Sequence, residues 1–255
     1  MRLFIGIPTS GSPAKPFVES LATLEIPASF SSVDRTIVTG NFVPAQRELI
    51  VRRALARGAD RLLMCDDDMV LPKDALAKLS AVLDEDSSCA LAGALYYSRD
   101  GFRPMIVGNW NAADTTSATI PAFGDEPVAV DGVGFGCVLL RLDALRAMEA
   151  PYFSAQVYIE PNASRVRVCN EDYLFCARLR AGNLHVILHP GVRCGHFDRA
   201  TGTVHPEAWE DSRVTSEPRM AVLKDGSIQL VPLAAAQSGD ERHELAAISY
   251  VWPGV

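Results

Sequence analysis

The chain has 255 residues, 48% hydrophobic and 22% charged, which suits one large α/β domain with enough chain to bury a sizeable core. A formal net charge of −7 argues against broad, non-specific polyanion binding. No apolar run is long enough to span a membrane, and Pro8 interrupts the opening MRLFIGIPTSG too early for a signal peptide.

In chain order, residues 3–7 form a first buried strand that Pro8, Thr9, Ser10 and Gly11 break into a loop, a common position for nucleotide contact. A helix is expected over residues 13–24 and a second strand over 33–38. Residues 44–57 then show helical spacing of Leu49, Ile50, Ala54 and Leu55. The other face of that helix carries Gln46, Arg47, Glu48, Arg52 and Arg53, which reads as solvated. Arg47 is set apart, as a nucleotide contact or a structural one. Gly58 closes the helix.

Arg61 to Cys65 is an uninterrupted buried strand ending in three carboxylates, Asp66, Asp67 and Asp68. Strand alternation puts Asp66 and Asp68 on one side and Asp67 on the other. Two like charges about 6 Å apart repel by roughly 2–3 kcal/mol at an effective dielectric near 20. A divalent cation removes that repulsion. The bland alternative is that one aspartate caps the next helix, opened by Pro72, and the others are solvated.

That helix runs to residue 83, and a strand over 88–95 ends in Tyr96, Tyr97, Ser98 and Arg99. These tyrosines either stack on a base or sugar or are partly buried. Residues 101–125 are long, irregular and Gly-, Asn- and Thr-rich, with room for a short hairpin. In VAVDGVGFGCVLLR, the alternating Gly132, Gly134 and Gly136 allow close approach of a ligand or another strand, and a strand over 137–140 follows. Asp143 is expected to cap a short helix reaching Met148.

In NEDYLFCARLR, Asn170 is a candidate helix cap, with Glu171 and Asp172 in the first turn, where acids also occur without catalytic role. After Gly182 a strand over 184–188, of edge or core type, precedes VRCGH and His196. Lys224 to Ser227 reads as a hairpin turn. Trp252 and Pro253 read as part of a packed tail. Cys65, Cys89, Cys137, Cys169, Cys176 and Cys194 show no metal spacing and read as reduced core thiols, which points to the cytoplasm.

Together LLMCDDDMVLP, DGVGFGCVLLR, NEDYLFCARLRAGN and VRCGH resemble, in order and separation, the GT-A nucleotide-sugar glycosyltransferases of the family-two-like group, over roughly residues 2–200. The resemblance implies an α/β, Rossmann-like, mostly parallel sheet flanked by helices (residues 1–200), with a small β-containing C-terminal extension (201–255) on the same domain. It implies a Mn²⁺ or Mg²⁺ site from Asp66, Asp68 and His196. Pro8, Thr9, Arg47, Asp66 and Asp67 fall to the nucleotide-sugar side. Asp172 becomes the general base of an inverting transfer, with Glu171 as second choice. The acid at the middle position, Asp67, departs from the smaller residue expected there. UDP is the favoured nucleotide and GDP the next, with a glycan, lipid-linked sugar, protein or modified nucleic-acid base as acceptor. The alternatives are a sugar-nucleotidyltransferase, whose basic glycine-rich loop PTSGSPAK lacks, and a catalytically silent nucleotide-sugar-binding module.

Overall fold

The computed structural model describes residues 1–99, 101, 103–110, 123–146, 148–159, 166–206, 219–222 and 228–231. Its first half runs β1 (Arg2–Thr9), α1 (Lys15–Ala22), β2 (Ser32–Thr39), α2 (Val43–Ala56), β3 (Arg61–Cys65), β4 (Met69–Val70), α3 (Ala75–Glu85) and β5 (Cys89–Leu95). Three two-residue strands follow, β6 (Ile106–Val107), β7 (Val128–Ala129) and β8 (Gly132–Val133), and then β9 (Cys137–Arg141) and α4 (Leu142–Leu145). The second half runs β10 (Gln156–Ile159), β11 (Val166–Cys169), α5 (Glu171–Ala181), β12 (His185–Arg193), β13 (Gly195–Phe197) and β14 (Val204–His205). A separate hairpin, β15 (Arg219–Val222) with β16 (Ile228–Val231), ends the described chain.

The central sheet has seven strands in the order β2-β1-β3-β9-β5-β12-β7. Strands β1, β2, β3, β5 and β12 run parallel, while β9, between β3 and β5, and β7, at the edge, run against them. Side-chain alternation explains why both faces are covered. On β3, Leu62 and Met64 join Ile50 and Val51 of α2 and Phe175 and Leu179 of α5 in one core. Leu63 and Cys65 join Phe17 of α1 and Leu76, Leu79 and Leu83 of α3 in another. The result is a Rossmann-like sandwich of helices, mostly parallel sheet and helices.

Several local expectations change. Pro72 precedes α3 instead of opening it. The short helix α4 takes Arg141 as its N-cap, and Asp143 sits inside it, accepting from the Ala144 amide at 2.9 Å. Asn170 occupies the N-cap of α5 without a side-chain capping bond. The strand expected over 184–188 extends to Arg193 and is interior, paired on both sides by β5 and β7. Gln46 and Arg47, on the helix face read as solvated, are both buried. Strand β14, past residue 200, pairs with β13 beside the acidic turn. Residues 111–122 of the long irregular segment, the turn at 224–227 and the tail with Trp252 and Pro253 lie outside the described residues.

Candidate active site

The carboxyl ends of β1, β3 and β5, the starts of α2 and α5, and β13 converge on one cleft of about 500 Å³. It is lined by Pro8, Thr9, Arg47, Asp66, Asp67, Asp68, Glu171, Asp172 and His196, the residues to which the resemblance gives a site role. Strand β3 ends at Cys65, so its alternation does not carry on through the acids. Instead each acid turns to a cation of its own.

Asp66 faces Arg47, whose Nη2 donates to both carboxylate oxygens, at 2.9 and 3.1 Å. Arg47 Nη1 donates to Glu171, and the guanidinium carbon lies 5.2 Å from the centre of the Phe135 ring. Phe135 in turn packs edge-on against Phe153 and Phe175, which stack on each other at 4.6 Å. Burial opposes the Arg47 charge, but Asp66, Glu171 and Asp172 outweigh it and hold the guanidinium above its ordinary pKa. For Asp66 the balance is reversed: burial raises the carboxyl, and Arg47 recovers only part of the shift.

Asp67 accepts from the Thr9 hydroxyl and pairs with Arg199 at 3.0 Å. Its backbone carbonyl accepts from the Ala14 amide at 2.8 Å. Through its carboxylate the acid at the middle position ties Thr9, at the head of the loop after β1, and Arg199 to the acidic turn, while the backbone bond to Ala14 is open to any residue. Gln46 fixes the same loop from the other side, donating to the carbonyls of Thr9 at 2.6 Å and Val38 at 2.7 Å.

Asp68 is almost fully buried. Its Oδ2 accepts from Arg99 Nη2 at 2.7 Å and Nε at 3.2 Å, and lies 3.4 Å from His196 Nε2. Burial raises the Asp68 carboxyl, yet His196 and Arg99 prevail and hold it below its ordinary value. His196 Nδ1 lies 2.7 Å from the Tyr97 carbonyl, which can only accept, so Nδ1 carries the hydrogen. With Nδ1 so engaged, Nε2 is the ring nitrogen that faces Asp68, the orientation a metal-ligating histidine adopts.

Among the described residues no three His, Cys, Asp or Glu side chains form a group able to hold a metal ion. Asp66, expected beside Asp68 and His196, is engaged by Arg47. Asp68 and His196 remain as the pair whose donor atoms face each other, 3.4 Å apart; a divalent ion there would have to complete its shell with phosphate oxygens and water.

Asp172 starts α5 and is buried. Its Oδ1 accepts from the Tyr173 amide at 2.8 Å, and no hydrogen bond is made by Oδ2 among the described residues. Burial, then the negative charge of Glu171, push the carboxyl up to about 7 against the pull of Arg47. A carboxylate poised near neutrality suits proton abstraction, since the best base has a pKa near the working pH.

The alternating glycines have a steric reason. A Cβ on Gly134 would lie 2.1 Å from Tyr96 Oη, and one on Gly136 2.7 Å from Tyr96 Cζ and 2.8 Å from Met69 Sδ. They make room for Tyr96, which is buried, accepts from the Gly136 amide at 3.1 Å and sets its ring edge-on to His196. The close approach is by this side chain.

Sequence reasoning missed Gln46, Arg99 and Arg199. A carbonyl-stapling glutamine on a charged helix face carries no distinguishing pattern. The two arginines do share one signal: each closely follows a strand that delivers another cleft residue, Tyr96 or His196.

No protein-family model matches the sequence, and no curated protein matches it. Among solved structures the chain is similar to the crystal structure of A197 from STIV, with a TM-score of 0.57 and 18% identity. The alignment covers 90% of this chain and 94% of that one, so the likeness extends through nearly the whole fold.

Proposed function

We propose that the chain is a metal-dependent glycosyltransferase of GT-A type, moving a sugar from a nucleoside-diphosphate sugar to a hydroxyl acceptor, with inversion. The observation that carries this reading is the convergence of the strand-end acids, the late histidine and the acids of the α5 start on one cleft. Ligands of open α/β sheets bind at the carboxyl ends of the strands, where this cleft lies. The likeness to A197 supports the fold and leaves the activity to the site.

In this reading Pro8 and Thr9 border the nucleoside, with Asp67 holding their loop in place. Asp68 and His196 would hold a divalent cation, Mn²⁺ or Mg²⁺, which would supply Lewis-acid stabilisation to the departing diphosphate. Asp172 Oδ2 takes the proton of the acceptor hydroxyl, whose oxygen forms the new bond to the anomeric carbon as the bond to the diphosphate breaks. Glu171 keeps Asp172 basic, and Arg47 fixes Glu171. UDP is the favoured nucleotide and GDP the next. The acceptor class stays as wide as a glycan, lipid-linked sugar, protein or modified nucleic-acid base.

The sugar-nucleotidyltransferase alternative loses support. Lys15, the one lysine of the first loop, is exposed and pairs with Glu19 on its own helix. No helix among the described residues is long and apolar enough to cross a membrane. Six free, buried cysteines support the cytoplasm as the place of action.

The test is donor turnover. With UDP- and GDP-sugars and Mn²⁺, wild type should release nucleotide slowly to water and faster with acceptor. Asp172→Asn should lower transfer by about 10²–10⁴-fold while donor binding stays nearly intact. Transfer at wild-type rate by Asp172→Asn would remove the base assignment.

A further inference from the structure

The cleft and its rim hold five carboxylates, Asp66, Asp67, Asp68, Glu171 and Asp172, against the guanidiniums of Arg47, Arg99 and Arg199. A diphosphate brings further negative charge, so the arginines decide whether it is admitted. They differ in freedom. The Arg47 side chain is only 4% exposed and locked between two acids, whereas that of Arg99 is 63% exposed. Arg99 also puts both of its bonds on a single oxygen, Asp68 Oδ2, the atom that faces His196 Nε2.

A divalent cation between Asp68 and His196 would lie against that oxygen, the one 3.4 Å from His196 Nε2. A guanidinium with two N–H groups on the same atom then meets a doubly charged neighbour and is repelled. We infer that Arg99 is an exchangeable counter-ion: it neutralises Asp68 until a divalent cation arrives, and the cation releases it to bind the donor diphosphate. Nothing else needs to move, because Arg99 already lies at the cleft surface and guanidinium geometry matches phosphate oxygens. Cation and nucleotide consequently strengthen each other's binding. The inference rests on the donor reading above and adds a substrate-binding residue to it.

Exchange predicts effects of opposite sign from one substitution, which a merely structural residue does not produce. Mn²⁺ binding to the free protein is followed by the paramagnetic resonance of unbound Mn²⁺. UDP and GDP binding is followed by calorimetry with and without Mn²⁺. Arg99→Ala should bind Mn²⁺ alone about 3–10-fold more tightly and bind the Mn²⁺-nucleotide about 10-fold more weakly. Arg199→Ala, which removes the same charge from Asp67, should change Mn²⁺ affinity less than about twofold. Arg99→Lys should lie between wild type and Arg99→Ala in both assays. Unchanged or weaker Mn²⁺ binding in Arg99→Ala, or an equal gain in Arg199→Ala, overturns the exchange. Unweakened nucleotide binding in Arg99→Ala overturns the hand-over to diphosphate. If wild type binds neither nucleotide with Mn²⁺, the donor reading itself fails and the hand-over with it, while the Mn²⁺ assay still decides whether Arg99 guards Asp68.

Discussion

Arg47 Nη2 reaches both oxygens of Asp66 while Nη1 holds Glu171, so one buried guanidinium joins the end of β3 to the start of α5. Breaking a buried ion pair from one side leaves uncompensated charge and costs about 3–5 kcal/mol. Arg47→Met should therefore destabilise the fold by about that much. Urea unfolding monitored by circular dichroism checks this, and a loss under ~1 kcal/mol would contradict the account of the pair.

The pH dependence of transfer follows from Asp172. A general base acts when deprotonated, so kcat/KM should rise through a pH of about 7. Glu171→Gln removes a negative neighbour and should move that limb to lower pH. Asp172→Asn should lower transfer by about 10²–10⁴-fold and flatten the limb. Steady-state rates between pH 5 and 9 are the measurement.

The same carboxyl predicts a trade of stability against activity. An unfolded aspartate ionises near pH ~4, and folded Asp172 near 7. Between these values the folded chain keeps a proton that the unfolded chain has released. The resulting stability is full below the unfolded value and is lost as pH rises through about 7. Asp172→Asn should thus be more stable than wild type at pH 8, by roughly 1–3 kcal/mol, and nearly level with it at low pH. Denaturation midpoints at the two pH values read this directly.

Asp68→Ala should leave a folded protein that no longer binds nucleotide in a metal-dependent way. Loss of even an outer-shell partner costs about 10–100-fold in metal affinity, and Asp68 is proposed as a direct ligand. Calorimetric titration of UDP and GDP, with Mn²⁺ and then with chelator, is the comparison. Equal heats for variant and wild type would argue against a cation at Asp68.

Gly134→Ala should cost about 1–3 kcal/mol, because its Cβ collides with the Tyr96 hydroxyl. Tyr96→Phe removes that oxygen, so the double variant should lose less than the sum of the single ones. A double-mutant cycle on unfolding free energies measures the coupling.

Much of this was legible in the sequence because buried parallel strands announce themselves as apolar runs, as in LLMC before Asp66. The acids were legible for the same reason, since three carboxylates at the end of an apolar run stand out and need partners, here Arg47, Arg199 and Arg99. What the sequence hid depends on reach. Arg99 meets Asp68 across 31 positions, and Arg47 meets Glu171 across 124, contacts that local spacing does not encode. The burial of Gln46 and Arg47 was hidden because a charged helix face looks the same whether it meets water or a partner acid. The glycine pattern was visible, but its occupant, Tyr96, lies some 40 residues earlier.

The reversed strand β9 brings its leading loop to the same sheet edge at which β3 and β5 finish, so one margin of the molecule collects the chemistry-bearing turns. The opposite margin carries the turns at Gly58, Asp86 to Ser88 and the left-handed Asn183, none of which lines the cleft. Gly58 and Asn183 are the natural places to splice in a reporter or an affinity handle without disturbing the cleft.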